Sequence, residues 1–438
     1  MKPSSRAVLW IALYFLVVFA PLLLMVVGPR PVGRDFWRDF SVALGFVGLT
    51  MMGVQFIPVG RLRILADTFP MDAIYYFHHQ MSVVSLAFVL AHPLVLFASN
   101  VKTLDLLRIS SAPPAAVYGV VSVIAACVLM VLAVFRQEIK FVYEAWRLSH
   151  GILALVAVGT GLVHILERNY YSGVPAQRTL LLGLALFWSA ALVYLRLVKP
   201  LSYRGKPYTV KAVVPERNQS CTLVVEPKGH PGMQFNPGQF AWIKLGSAPF
   251  ALREHPFSIS SSSEHPEAVC FTVKELGDFT RTIKDIPCGH PLFLDGPYGT
   301  FSIDTLEAPS YVFLAGGVGI TPLMSMLRSM ADRGDQRPVI LFYGNPTWED
   351  IIYREELESL PSQMNLQIVH VLERPGEDWT GERGFISAAV LDKHLPADRT
   401  TPAYLMCGPL PMIQAVERAL VKVGVPYNRV HSERYEMA

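Results

Sequence analysis

Six long stretches without a charged residue fill the first half of the chain, at 7–27, 40–60, 73–101, 109–135, 148–166 and 179–195. Each is near or above the roughly 17–25 residues that a helix needs to cross the hydrocarbon core of a bilayer. Backbone in hydrocarbon has to satisfy its own hydrogen bonds, so runs of this length are expected to be helices. The chain is 52% hydrophobic and 17% charged, with the apolar bias concentrated in its first half, which makes a multi-pass membrane protein the expected class. The first run is too long for the apolar core of a secretory signal and no small-x-small site follows it, so it is read as a retained span.

Basic residues near the span ends set orientation. With the N-terminus inside, the inner side collects Lys2, Arg6, Arg61, Arg63, Arg136, Lys140, Arg147, Arg196, Lys199, Arg204 and Lys206. The outer side holds Arg30, Arg34, Arg38, Lys102, Arg108, Arg168 and Arg178. That bias predicts a cytoplasmic N-terminus and a cytoplasmic C-terminal half in a plasma or inner membrane. The net charge of +3 is accounted for by these flanks, so no nucleic-acid partner is expected. The five cysteines form no Cys-x-x-Cys pair, which argues against a zinc or iron-sulfur site and against a disulfide framework.

Within the apolar runs stand His78 and His92, and again His150 and His164. Fourteen steps at about 100° each turn about 1400°, within about 40° of four full turns, with a rise of about 21 Å. Each pair therefore shares one helix face at two depths. The third and fifth spans run in the same direction, so His78 is expected to face His150 near the cytoplasm and His92 to face His164 near the outside. Imidazoles in hydrocarbon are functional candidates, the bland alternative being buried rings bonded to neighbouring backbone. Two facing neutral imidazoles at two depths suit two b-type haems. His79 lies about 140° off the face of His92 on an undistorted helix, and Pro93 only partly relieves that, so His78 is the expected inner ligand.

Beyond Pro200 the pattern changes to alternating strands with Gly and Pro turns. Residues 208–214, 221–226, 239–245 and 269–275 alternate apolar and polar, as in a small antiparallel β-barrel. From about Pro309 the order strand, Gly turn, helix, strand, helix predicts a parallel sheet with helices on both faces. Tyr311–Ala315 reads as a buried strand leading into Gly316-Gly317-Val318-Gly319-Ile320-Thr321-Pro322 and a helix. Glycines there permit close backbone approach, and the helix N-terminus offers free N–H groups to a diphosphate. Cys407-Gly408-Pro409 is expected at the C-terminal edge of the same sheet, where ligands of open α/β sheets bind.

These residues, together with His255-Pro256-Phe257-Ser258-Ile259-Ser260-Ser261, Lys274-x-x-Gly277-Asp278-Phe279-Thr280 and Gly296-Pro297-Tyr298-Gly299, resemble the ferredoxin-NADP reductase superfamily. More narrowly they resemble its ferric reductase and NADPH oxidase branch, in which a six-helix haem membrane domain is fused to that module. The resemblance implies a membrane all-α six-helix bundle in 1–200, an FAD-binding β-barrel domain in 201–304 and an NAD(P)-binding α/β domain in 305–438. By it Phe257 packs near the flavin and Ser258 bonds its reactive edge, with His255 in place of the usual arginine and Pro256 between them. Ser261, Lys274 and Thr280 then serve the flavin phosphates or ribityl chain, and Ser260 and Gly277 also count among the cofactor-binding residues. Gly316 to Gly319, Thr321, Pro322, Gly408 and Pro409 hold the nucleotide, with Cys407 beside the nicotinamide. Glu433-Arg434-Tyr435 resembles a reductase ending in which an acidic residue and an aromatic close over the flavin, so Ser258, Cys407 and Glu433 are the expected catalytic residues.

What this implies is hydride transfer from NADH or NADPH to FAD, then one-electron steps through two haems to an acceptor across the bilayer. His164-Ile165-Leu166-Glu167-Arg168 resembles the oxidases, which places O2, giving superoxide, ahead of a ferric chelate. Leu96 stands where the oxidases tend to carry a further histidine. Delivery to a membrane protein partner is a third outlet, and a nucleotide-regulated transporter is the non-redox alternative. The segment Asn345 to Leu357 resembles NADH-dependent cytochrome reductases and has no basic residue between Gly344 and Tyr353, so NADH is the expected donor with NADPH tolerated; Arg354 and Arg374 are the nearest cations for a 2′-phosphate.

Overall fold

The computed structural model describes residues 3–29, 32, 34–108 and 110–433. The chain divides into two compact units, Met1–Phe69 with Ala73–Lys199, and Pro70–Asp72 with Pro200–Ala438.

Among the described residues, six helices are long and apolar enough to cross a membrane. They are α1 (Pro3–Val27), α2 (Phe36–Val54), α3 (Met71–Ser99), α4 (Pro114–Val134), α5 (Tyr143–Arg168) and α6 (Pro175–Val193). Proline opens α4 and α6, at the one turn where its missing N–H costs nothing. The Asp35 carboxylate accepts from Trp37 N at 3.1 Å and so caps α2. The α5 helix stops at Asn169, in the left-handed conformation at φ 50°.

The central helix is α2. Val47 and Met51 pack with Val18 of α1, while Leu49 packs with Val158 of α5 and Trp188 of α6. On the other helices Phe15, Leu16, Val131, Ile152, Leu186 and Phe187 stay exposed, the surface a lipid-facing bundle presents. Between α4 and α5 the contact is made by Ala125, Ala126 and Ala157, with Ser122 Oγ donating to Ala157 O at 2.7 Å. Small residues let these backbones close up, and helix association in lipid depends on such packing.

In the second unit, β1 (Tyr208–Glu216), β2 (Ser220–Pro227), β3 (Phe240–Leu245), β4 (His255–Ser258), β5 (Val269–Lys274) and β6 (Pro291–Tyr298) form an antiparallel sheet ordered β4-β3-β6-β1-β2-β5. Val210, Leu223, Val225, Val269, Phe271 and Val273 point into its core at every second position. The sheet curls until the continuation of β4 meets β5, with an Ile259–Phe271 bridge and Ser260 N donating to Cys270 O at 2.8 Å. A short helix, α7 (Asp278–Thr282), follows β5.

The rest of this unit is built on a parallel sheet ordered β10-β9-β8-β7-β11-β12. Its central strands are β7 (Tyr311–Gly316), β8 (Val339–Asn345) and β11 (Ala403–Cys407), flanked by β9 (Leu366–Leu372), β10 (Glu382–Arg383) and β12 (Val430–Glu433). Every residue of β7 and β11 is buried, as expected of strands covered on both faces. Phe313, Leu341 and Leu405 face α8 (Ile320–Asp332), whose Leu323, Met324 and Leu327 are fully buried against them. Val312, Phe342 and Met406 face α10 (Ala388–His394) and α11 (Leu410–Lys422) instead. Each fully buried side chain of this kind contributes about 1.5–3 kcal/mol. A further short helix, α9 (Arg354–Ser359), follows β8.

Candidate functional site

Helices α3 and α5 bring the four histidines together in two pairs. The His78 and His150 ring centroids are 6.4 Å apart, and those of His92 and His164 are 6.2 Å apart. A metal held between two imidazoles at about 2 Å from each nitrogen would place the centroids about 6 Å apart. His79, by contrast, is exposed.

Three of the four rings are oriented by hydrogen bonds at Nδ1. The Nδ1 of His78 lies 3.0 Å from Gln55 Oε1, that of His92 2.8 Å from Ser41 O, and that of His164 2.6 Å from Ala115 O. Carbonyl oxygens only accept, so Nδ1 carries the proton and Nε2 keeps its lone pair free for a ligand bond. Ser41 also clamps the α3 backbone, its Oγ donating to His92 O at 2.7 Å. Glycines leave room for two of the rings: a Cβ built on Gly45 would sit 3.2 Å from the His92 ring, and one on Gly119 2.9 Å from His164 Nδ1. Sequence reasoning missed these supports, although Gln55, an amide in an uncharged run, was a visible signal. Among the described residues, no three His, Cys, Asp or Glu side chains are grouped to hold a bare metal ion. Each site offers two imidazoles, which suits an iron whose other four bonds come from a macrocycle.

A cavity of about 390 Å³ lies at the His92–His164 pair, lined also by Arg34, Arg38 and Arg168. The Arg34 guanidinium rests 3.5 Å over the Tyr170 ring, and Tyr171 donates to Asp39.

In the second unit the expected flavin motif forms β4, an edge strand paired with β3 so that Phe257 sits opposite Ala241 and Ser258 opposite Phe240. His255 stacks on Phe279 of α7 with ring centroids 3.9 Å apart, and Phe257 lies nearly parallel to Phe279 at 6.1 Å. Phe279 is a member of this aromatic row that motif reading did not single out. Pro256 is partly exposed between them and Ser258 is buried. Lys274 Nζ donates to Asn218 Oδ1 at 3.0 Å. Thr280 Oγ1 accepts from the N–H groups of Leu276 and Gly277, both at 2.9 Å, which shapes the turn into α7. Ser260 and Ser261 are buried beneath α8, where Ser260 O accepts from Arg328 and Ser261 O from Ser325.

The glycine turn joins β7 to α8. Gly317 holds φ +52°, and Gly317 and Val318 are its accessible part. A Cβ on Gly319 would lie 2.2 Å from Cys407 O, and one on Gly316 2.3 Å from Met412 Sδ and 3.2 Å from Pro409 Cδ. At position 319, where the close atoms are backbone, only glycine lets the turn close onto Cys407 and Gly408. Thr321 Oγ1 donates to Val318 O at 2.7 Å, and Pro322 sits in the first turn of α8, where it needs no partner for a backbone N–H. Cys407 is fully buried and in register with Ala315 on one side and Glu433 on the other. Tyr435 lies outside the described residues.

The end of β8 carries the residues expected to meet the adenosine side. Arg354 is folded back, Nη1 donating to Trp348 O at 3.3 Å and Nη2 lying 3.5 Å from Glu355. Burial pushes the His370 imidazole down to about 4, so it is neutral there at neutral pH.

Comparison with known proteins follows the same division. Residues 44–161 match the family model described as ferric reductase like transmembrane component. Residues 224–302 match an FAD-binding domain, and residues 313–418 match an oxidoreductase NAD-binding domain. The chain is 35% identical over 153 residues to NADH-cytochrome b5 reductase 1 of Debaryomyces hansenii, covering 34% of this chain and 54% of that one. It is 32% identical over 208 residues to the glycine betaine monooxygenase reductase subunit of Chromohalobacter salexigens, covering 46% and 56%. The chain therefore spans about half the length of these curated relatives. A solved ferredoxin reductase in carbazole 1,9a-dioxygenase aligns with a TM-score of 0.46 at 25% identity, over 52% of this chain and 69% of that one. The three matches together place a ferric-reductase-like transmembrane component, an FAD-binding domain and an oxidoreductase NAD-binding domain in one chain, the arrangement of ferric reductase/NADPH oxidase-type proteins.

Proposed function

We propose that the chain carries electrons from NADH through FAD and two b-type haems to O2 on the outer side of the membrane, producing superoxide. Its parts are a haem domain in 1–200, a flavin domain in 201–304 and a nucleotide domain in 305–438, with the last two in the cytoplasm. The observation that carries this is the pair of imidazole pairs on α3 and α5, 6.4 and 6.2 Å apart, with Nδ1 engaged on three of the four rings. FAD supplies the junction between a two-electron donor and one-electron carriers, and haem iron supplies the one-electron sites.

The residues of the chain bind and orient. His78 with His150, and His92 with His164, would hold the two irons, and Gln55, Ser41 O and Ala115 O fix the rings. His255, Pro256, Phe257 and Ser258 would line the flavin ring, with Lys274, Gly277 and Thr280 toward its phosphates. The glycine turn, Thr321, Pro322, Gly408 and Pro409 would take the nucleotide, with Cys407 and Glu433 side by side at the reacting edge. In the oxidised-minus-reduced spectrum of purified protein, a Soret change with two haems per FAD is the expected result; a transporter would show no haem absorbance and consume no NADH.

Gln55→Leu removes the acceptor that fixes His78. Loss of such a supporting partner typically costs about 10–100-fold in affinity for the metal group. The expected outcome is inner-site haem loss in a competition with apomyoglobin at unchanged outer-site retention. For the donor, the folded-back Arg354 and the neutral His370 leave little positive charge for a 2′-phosphate, so turnover with NADH should exceed that with NADPH at equal concentration. A variant lacking Arg374, which is exposed, should lose residual NADPH activity alone.

A ferric chelate is the second reading, favoured by the outer cavity. Arg34, Arg38 and Arg168 line it together, and such a rim attracts an anionic chelate as well as stabilising a superoxide anion. Dye reduction sensitive to superoxide dismutase, measured beside ferric-citrate reduction, separates the two.

A further inference from the structure

Helix α8 starts at the glycine turn and lays its polar face along the residues that continue β4. Ser325 Oγ donates to Ser261 O at 2.7 Å, Arg328 Nη1 to Ser260 O at 2.6 Å, and Ser263 N to Ser329 Oγ at 2.9 Å. Positions 325, 328 and 329 share one face of a helix. The rest of the Arg328 fork is fixed by Glu356 of α9, with Nε to Oε1 at 2.7 Å and Nη2 to Oε2 at 2.6 Å.

Immediately before α9 stands Tyr353, whose backbone is left-handed at φ 59°, ψ 26°. That region crowds a Cβ, and an aromatic residue kept there is held by its surroundings. The holding contacts are visible. Arg328 lies 4.8 Å over the Tyr353 ring, and the buried hydroxyl hydrogen-bonds with Thr272 Oγ1 on β5 of the barrel. Thr272 Oγ1 is in turn 2.7 Å from Thr222 Oγ1 and 3.4 Å from Ser260 Oγ. Burial raises the phenol, which keeps it a neutral donor.

Tyr353 and Arg328 thus reach the Ser260–Thr272 corner from two elements of the nucleotide lobe. Ser260 lies two residues beyond Ser258. At the other end Tyr343, on the strand that leads toward Tyr353, donates to Gly317 O at 3.0 Å. The glycine turn and the flavin strand are therefore joined twice, once through α8 and once through the β8–Tyr353 segment.

We infer that Tyr353 is a positioning residue for hydride transfer: its strained backbone sends the hydroxyl across the seam to Thr272 and so fixes the distance between nucleotide and flavin. The inference rests on the cofactor placement proposed above. The step it serves breaks one C–H bond at the dihydronicotinamide and forms one N–H bond on the flavin, oxidising the first and reducing the second with no further reactant. A misplacement of about 1 Å in such a geometry costs on the order of a hundredfold in rate.

The test uses the full-length, FAD-loaded protein with Tyr353→Phe, Thr272→Val and the double variant. Anaerobic stopped-flow reduction by NADH should show a limiting rate lowered by about tenfold or more in each, with flavin content and NADH affinity within about twofold of the parent. The double variant should be no slower than the slower single one, since both remove one link. Amide exchange at 260–263 should quicken in all three, a readout independent of turnover. A parent-like limiting rate in both single variants, or a lower melting temperature with that rate unchanged, overturns the inference. Failure of the underlying cofactor placement looks different, because the parent itself would then bind no FAD or consume no NADH. Thr272→Val keeps the test decisive should Tyr353→Phe not fold.

Discussion

A His92→Ala variant should keep NADH-driven flavin reduction and lose reduction of an impermeant outer acceptor by on the order of a hundredfold or more. His164 alone cannot hold an iron between two imidazoles, so bound haem should fall from two equivalents to one. The fold should survive the change. Ser41 Oγ bonds to the His92 backbone carbonyl, which alanine retains, and His164 keeps its bond to Ala115 O. His79→Ala is the matched control, an exposed histidine one residue from the inner pair, and should change neither haem content nor electron flow. Gly119→Leu should reproduce the His92→Ala defect from the opposite side, because a Cβ there sits 2.9 Å from His164 Nδ1 and displaces the ring. Haem content by pyridine haemochrome, with flavin reduction and outer-acceptor reduction measured on the same vesicles, checks all three. Undiminished outer reduction in His92→Ala would refute the route.

The pairing of His78 with His150 and His92 with His164 was legible because rotation about a helix is arithmetic and parallel spans share depth. The central place of α2 was not. All six runs are apolar on every side, so periodicity points to no inner face, and α2 differs only in the tertiary contacts of residues such as Val47 and Leu49. The bonds that orient His92 and His164 end on backbone carbonyls of Ser41 and Ala115, which no residue type announces. In the second unit β1, β2, β3 and β5 fall on the four segments that read as strands, but the expected alternation is broken, since β2 and β3 are buried over four and five successive residues. The β6 strand begins at a proline and contains Gly296-Pro297, so its pattern is broken although its pairing with β3 is extensive. Tyr353 was invisible for a related reason. A left-handed turn is normally marked by Gly or Asn, and here an aromatic holds it through contacts made only in the folded seam.

Gly319→Ala should abolish rapid reduction of the flavin by NADH while leaving the downstream route intact. The added Cβ would sit 2.2 Å from Cys407 O, 2.6 Å from its carbonyl carbon and 2.8 Å from Gly408 Cα, all backbone atoms that cannot rotate away. Relief requires the glycine turn and the end of β11 to part by on the order of 1 Å, and such a displacement at a transfer site costs about a hundredfold in rate. The stability cost should be about 1–3 kcal/mol, the usual range for overpacking, because the cores on both faces of the parallel sheet remain. Gly317→Ala separates conformation from space: at φ +52° it has nothing nearer than Asn218 Nδ2 at 3.9 Å, so it meets only the left-handed penalty of roughly 1–2 kcal/mol. Stopped-flow mixing with NADH should therefore rank the parent first, Gly317→Ala second and Gly319→Ala far behind. Dithionite, which bypasses the nucleotide, should reduce flavin and haem equally in all three. If Gly319→Ala accepts electrons from NADH at the parent rate, the turn between β7 and α8 is not where the dinucleotide lies.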